Sequence, residues 1–102
     1  MNMLSGIAFL PDLKTGAATF TSRNKDSVVS FVTENGGESW TPVTFPAAAT
    51  KIDSLTFADG RYQAVLGGAD VGSYDKYLCT CDTMTGKWEL ARSYQDMIHT
   101  YG

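Results

Sequence analysis

The side chains of this chain that could do chemistry are few and lie far apart. Cys79 and Cys81 are two residues apart in YLCTC, and the one histidine is His99. A nucleophilic serine or cysteine needs a positioned base, and a zinc site needs about four ligands, so this set supports neither. Two cysteines at i and i+2 of a strand share one face, which suits small buried apolar side chains better than a disulfide. We therefore predict no catalytic residue, no metal ligand and no cofactor.

The best candidates for ligand binding lie together in one loop, GADVGSYDK. Tyr74 offers an aromatic ring on which a sugar could stack. Asp70 and Asp75 offer carboxylate oxygens that accept hydrogen bonds from sugar hydroxyls. We predict Tyr74, Asp70 and Asp75 as ligand-binding residues, with a glycan as the ligand.

Charge and hydropathy argue against several kinds of partner. The chain has 11 acidic and 8 basic residues, a net charge of -3, and no basic cluster of the kind that nucleic-acid binding requires. No apolar run approaches the roughly 20 residues that cross a bilayer, and the N-terminus lacks the basic start and apolar middle of a signal peptide. We therefore expect no nucleic-acid partner and no membrane insertion. We expect synthesis in the cytoplasm, with incorporation into a particle as one later destination.

Short runs that alternate apolar and polar residues, separated by turn residues, predict eight β-strands. The predicted strands cover residues 4–11, 17–22, 27–33, 38–45, 51–57, 61–68, 76–81 and 87–93. The tail, 94–102, fits either a helical turn or an added strand. The sequence therefore predicts an all-β chain.

The eight predicted strands fall into two similar sets of four. Three pairs of residues keep an interval of 48 positions: Phe9 and Phe57, Phe31 and Cys79, and Trp40 and Trp88. A common interval with no net insertion indicates an internal repeat. We predict one domain, 1–102, with repeat 1 at about 4–46, repeat 2 at about 50–93, and the tail at 94–102.

The turn TENGGESW, which ends the first repeat's third strand, is the most distinctive motif. Asn35 can accept hydrogen bonds from backbone N–H groups across the bend, and Gly36 or Gly37 can supply a positive φ. The hydroxyls of Thr33 and Ser39 can satisfy further turn groups. We predict that Trp40 packs beneath the bend as part of the core.

This turn resembles the Asp-box, or BNR repeat, of sialidase-like β-propellers, whose usual form is Ser/Thr-x-Asp-x-Gly-x-Ser/Thr-Trp. The matching residues are Thr33, Asn35, Gly37, Ser39 and Trp40, with Asn35 in place of Asp. In the second copy, CDTMTGKW, only Trp88 keeps its position, and we predict a structural role for it too. In the family the motif is mostly structural, so the resemblance implies a fold rather than an activity.

The resemblance implies that each repeat is one propeller-like blade, a four-stranded antiparallel meander with two apolar faces. The alternative is an eight-stranded β-sandwich. Closed propellers have roughly 4–8 blades, so a dimer of this chain would supply about four and a trimer about six.

Two functions follow from this interpretation. The first is a non-enzymatic structural or interaction subunit of a symmetric assembly, with a viral particle or tail as one setting. The alternative is a small glycan-binding, lectin-like module. A sialidase-like enzyme would need an arginine triad, and Arg23, Arg61 and Arg92 lie in no matching context.

Overall fold

The computed structural model describes residues 2–22, 28–46, 49–67 and 76–93. Within these ranges the chain forms eight strands and no helix. No helix among the described residues is therefore available to cross a bilayer. The strands are β1 (Asn2–Phe9), β2 (Gly16–Ser22), β3 (Val28–Thr33), β4 (Thr41–Val43), β5 (Lys51–Ala58), β6 (Arg61–Gly67), β7 (Lys76–Cys81) and β8 (Glu89–Ser93).

The strands form two antiparallel four-stranded sheets, each following chain order. Sheet 1 has the order β1-β2-β3-β4, and sheet 2 has the order β5-β6-β7-β8. The predicted all-β class with two four-stranded antiparallel meanders is confirmed. The predicted tail, 94–102, lies outside the described residues.

Strand β4 is shorter than the predicted segment 38–45. The strand begins at Thr41 and not at residue 38, because the backbone N–H of Ser39 donates to the side chain of Asn35 and so belongs to the turn. Pro42 lies within β4 opposite Phe31. Proline has no N–H to give to a ladder, and β4 accommodates it because this strand lies at the edge of sheet 1.

The first strands of the two sheets share an irregularity. The β1–β2 register shifts between Leu4 and Gly6, and the β5–β6 register shifts between Ile52 and Ser54, 48 residues later. A bulge inserts one residue and bends the strand. Because of the bulge, two side chains on either side of it that are three residues apart lie on the same face. A regular strand would place them on opposite faces.

The remaining registers show how the 48-residue interval is kept. Ile7 pairs with Ala18 and Leu55 with Ala64, so the first hairpin of sheet 2 is two residues shorter. The second hairpin of sheet 2 is longer by the same amount. Its pair Ala64 and Cys79 is separated by two more residues than the equivalent pair Ala18 and Phe31 of sheet 1. The two sheets are therefore repeat-like, although β7 has a further bulge against β8 that β3 lacks against β4.

The core lies between the two sheets. Sheet 2 contributes large apolar side chains, and sheet 1 contributes mainly small ones such as Ala17 and Val32. The sheets approach most closely where β1 and β2 meet β5. A methyl group at Gly6 would overlap the carbonyl oxygen of Ile52, so glycine is required at this contact. The contact is completed by Thr19 Oγ1, which accepts a hydrogen bond of 3.0 Å from the Ile52 N–H.

Candidate functional site

The turn after β3 is held by a compact hydrogen-bond network. Thr33 Oγ1 accepts from the Gly37 N–H at 3.0 Å and donates to Asn35 Oδ1 at 2.9 Å. Asn35 Oδ1 also accepts from the Ser39 N–H at 3.0 Å, and Asn35 Nδ2 donates to Ser39 Oγ at 2.8 Å. Gly36 and Gly37 have φ values of 75° and 92°, which other residues rarely adopt. The side-chain amide therefore spans the bend with both its acceptor and its donor.

This turn also contacts the first hairpin loop of sheet 1. The Gly36 N–H donates to the Lys14 carbonyl at 2.9 Å. The indole of Trp40 lies against Gly37 and forms an edge contact with the ring of Phe9 at a centroid distance of 6.3 Å. Phe9 in turn lies over Gly16, where any side chain would overlap its ring. The turn thus fixes the position of Trp40 at one end of sheet 1.

The corresponding turn of sheet 2 uses different contacts, as its altered sequence suggests. The Trp88 Nε1–H donates to the Met84 carbonyl at 3.0 Å, and the Cys81 thiol donates to the Lys87 carbonyl at 3.2 Å. Phe45, from the segment that joins the sheets, packs on the Trp88 ring at a centroid distance of 4.9 Å. Trp88 and Met84 are consequently buried.

The prediction that Trp40 belongs to the core is wrong for the single chain. Trp40 lies at the turn but is partly exposed, whereas Trp88 is buried. The physical reason is that sheet 1 and Phe45 cover sheet 2, while none of the described residues covers Trp40 in the same way.

Trp40 belongs to a larger apolar surface, the apolar face of sheet 1. This face encloses a depression of about 370 Å³ lined by Leu4, Ile7, Ala18, Phe20, Phe31 and Trp40. The strand registers align Leu4 with Phe20 and Ile7 with Ala18, and Ala18 with Phe31, so these side chains lie on one side of the sheet. That side is opposite to the one that carries the core residues Ala17 and Val32.

Residues 48 positions apart differ sharply in exposure. Leu4, Ile7 and Trp40 are 54%, 49% and 37% exposed, whereas Ile52, Leu55 and Trp88 are 2%, 5% and 3% exposed. The residues of each pair occupy equivalent positions in the two sheets. Within the described ranges, a second sheet covers the apolar face of sheet 2, and no sheet covers its counterpart in sheet 1.

Sequence reasoning singled out Trp40 only as a core residue of the turn, and it did not identify Leu4, Ile7 and Phe20 as residues of this surface. Leu4 and Ile7 are three residues apart, and a regular strand would point them in opposite directions. The signal that could have identified them is the matching pair Ile52 and Leu55, which has the same spacing in the second repeat.

The cysteines and Arg61 are the titratable groups among the described residues that bear on possible chemistry. Cys79 and Cys81 are buried as predicted, and burial raises the pKa of the Cys79 thiol to about 11. Arg61 Nε lies 3.4 Å from Asp82 Oδ1, at the end of sheet 2. In the described part of the chain, no group of three or more His, Cys, Asp or Glu side chains is arranged to hold a metal ion.

The predicted glycan-binding residues Tyr74, Asp70 and Asp75 lie outside the described residues, as do Arg23 and His99. Glycan binding through that loop therefore stays a prediction from the sequence. Comparisons of the chain with family models, curated proteins and solved structures find no match.

Proposed function

We propose that this chain is a non-enzymatic structural subunit that associates into a symmetric assembly through the apolar face of sheet 1. The observation that supports this is the contrast between Leu4, Ile7 and Trp40 and their buried counterparts. A contiguous apolar surface of this kind marks an interaction site in a soluble protein.

The free energy available from covering this face is substantial. Fully burying one leucine or isoleucine side chain contributes roughly 1.5–3 kcal/mol. Leu4 and Ile7 are each about half exposed, and Trp40 adds the larger area of an indole. In a closed ring every copy gains this contact, so no copy leaves the face in water.

The assembly we propose is propeller-like, with sheets 1 and 2 as two consecutive blades. Two observations support this arrangement over a plain sandwich. The sheets approach most closely along their first strands, and those strands have bulges at equivalent positions. We propose likewise that the turn after β3 is an Asp-box in which Asn35 replaces the usual Asp, supported by its contacts to Thr33 and Ser39.

The absence of catalysis is part of the proposal and has separate support. A thiol with a pKa near 11 is protonated at neutral pH, so Cys79 is a poor nucleophile. Arg61 already faces the carboxylates of Asp82 and Glu89, which compete for its guanidinium.

The proposed function is tested by the mass of the protein in solution. We expect sedimentation equilibrium to show a reversible oligomer, with a mass that is an integral multiple of the 11.0 kDa chain. A chain that remains monomeric up to the highest soluble concentration would refute the proposal.

A further inference from the structure

We propose that the apolar face of sheet 1 is covered by the outer face of sheet 2 of a second copy, so that the copies join head to tail. This inference rests on the proposed function, since it names the partner surface in the assembly. The contact that already exists between the two sheets of one chain supplies the geometry for this junction.

Within one chain, the apolar side of sheet 2 is covered by the small-residue face of sheet 1. This face consists of Gly6, Ala8, Ala17, Thr19, Ser30 and Val32. Ala8, Ala17 and Val32 pack against the core. Thr19 is buried, and its hydroxyl accepts from the Ile52 N–H and lies 3.0 Å from Ser5 Oγ. Small side chains and a few hydroxyls are thus sufficient to cover the apolar side of the next sheet.

Sheet 2 presents a corresponding face on its own far side, the uncharged face of sheet 2. The rows Gly6–Thr19–Ser30 and Ala8–Ala17–Val32 in sheet 1 correspond to two rows in sheet 2. These rows are Ser54–Val65–Leu78 and Thr56–Gln63–Thr80. The six side chains alternate with the core residues Ala64, Leu66 and Cys79, so they lie on the opposite side of the sheet.

The distribution of charge on sheet 2 favours this face as an interface. None of its six residues is charged; the charged groups lie beyond its two ends and along its β8 edge, where Arg92 pairs with Leu78 and Glu89 pairs with Thr80. At one end Asp53 pairs with Lys51 and Lys76, and at the other Arg61 faces Asp82 and Glu89. An uncharged centre with a charged rim is typical of protein interfaces.

The two sheet faces that no other described residue covers are therefore complementary. The apolar face of sheet 1 resembles the apolar side of sheet 2, which sheet 1 covers within the chain. The uncharged face of sheet 2 has the same strand positions as the small-residue face of sheet 1, which provides that cover. Ser54 stands where Gly6 makes the closest approach, so we expect the strands at the junction between copies to lie further apart than β1 and β5.

The test uses one variant for each face. Ile7→Glu places a charge on the apolar face of sheet 1, and Val65→Glu places one on the uncharged face of sheet 2. In a head-to-tail ring every junction uses both faces, so we expect each variant alone to sediment as a monomer. Leu13→Glu adds the same charge at an exposed site on the first hairpin loop, and we expect it to assemble like the unaltered chain.

Mixing the two variants gives the decisive result. The Ile7→Glu chain keeps an intact sheet 2, and the Val65→Glu chain keeps an intact sheet 1, so a mixture can form one junction. We expect native mass spectrometry of the mixture to show a 1:1 heterodimer and no larger ring. Circular dichroism and thermal unfolding establish that each variant is folded, and Leu4→Lys with Thr80→Lys is a second pair if one of the first is not.

Two outcomes would overturn the inference in different ways. If Val65→Glu assembles normally while Ile7→Glu does not, the apolar face of sheet 1 packs on its own copy, and the proposed function survives without the head-to-tail contact. If the unaltered chain is monomeric at all concentrations, both the inference and the proposed function fail.

Discussion

At the scale of single residues, Asn35 has the most demanding role in the turn after β3. Its Oδ1 accepts from both the Ser39 N–H and the Thr33 hydroxyl, and its Nδ2 donates to Ser39 Oγ. An aspartate would keep the acceptor, and the Ser39 hydroxyl could then donate to the second carboxylate oxygen. The network therefore accepts either residue, which is consistent with the resemblance to the Asp-box.

We predict that Asn35→Ala lowers the free energy of unfolding by about 1–2 kcal/mol, because it removes two accepted hydrogen bonds and one donated bond. Urea unfolding at neutral pH measures the change. The matched control is Asn35→Asp, which we expect to stay close to the unaltered chain. Equal losses in the two variants would show that the acceptor oxygen is not what stabilises the turn.

Asp12 gives the first hairpin loop a dependence on pH. Hydrogen bonds from the backbone N–H groups of Thr15 and Lys14 lower the pKa of its carboxyl below its ordinary value in the folded chain. The folded-state pKa is thus below the unfolded-state value, so the contribution to stability is present above the unfolded-state pKa. It is lost as the pH falls through the folded-state pKa.

We expect carbon-detected NMR to show the Asp12 carboxyl titrating at a lower pH than an unperturbed aspartate. In Asp12→Asn the side chain cannot ionise, so its unfolding free energy should depend less on pH in the acidic range than that of the unaltered chain. Parallel pH profiles for the two proteins would contradict the role of the charge.

At the scale of strands and sheets, the sequence predicted more of the fold than of the surface. Seven of the eight predicted strands begin and end within two residues of the observed ones, because alternation and turn residues are local signals. The exception is β4, which the turn network shortens at Ser39. The bulges of β1 and β5 were not predicted, because nothing local in the sequence fixes where a register shifts.

That omission explains why the site was only partly identified. Without the bulge, Leu4 and Ile7 would lie on opposite faces, so the two would not be assigned to one apolar surface. Trp40 was predicted as core because both tryptophans occupy the position that anchors the turn beneath the bend. Whether either indole is covered depends on which sheet has a neighbour, and this is a property of the tertiary structure.

We predict that Gly6→Ala separates β1 from β5 and lowers the free energy of unfolding by about 1–3 kcal/mol, the usual cost of overpacking. The added methyl group would meet the backbone of Ile52, which cannot move aside like a flexible side chain. The Ile52 amide should also lose protection from hydrogen exchange, since its bond to Thr19 lies at this contact. Amides of β7 serve as the internal control, and an unchanged unfolding midpoint would contradict the prediction.

At the scale of the whole molecule, the described residues form one sheet-to-sheet contact and leave one face of each sheet uncovered. Because those faces differ, a contact between them is heterologous, and repetition of a heterologous contact gives a ring if the rotation closes. A contact between the apolar faces of two copies would instead give a dimer. The uncharged face of sheet 2 would then remain in water in each copy. The similarity of the two sheets favours repetition, since the rotation that relates sheet 1 to sheet 2 can continue into the next copy.

The two tryptophans allow this arrangement to be observed directly, because only Trp40 should change its surroundings on assembly. The chain has two Trp residues, so Trp88→Phe leaves Trp40 as the single fluorophore and Trp40→Phe leaves Trp88. We predict that the emission of Trp40 moves to shorter wavelength as the protein concentration rises through the assembly range, since its exposed ring leaves water. The emission of Trp88, already buried against Phe45, should stay constant over the same range. If the mass of the Trp88→Phe chain rises with concentration while the Trp40 emission does not move, the copies associate through a surface other than the apolar face of sheet 1.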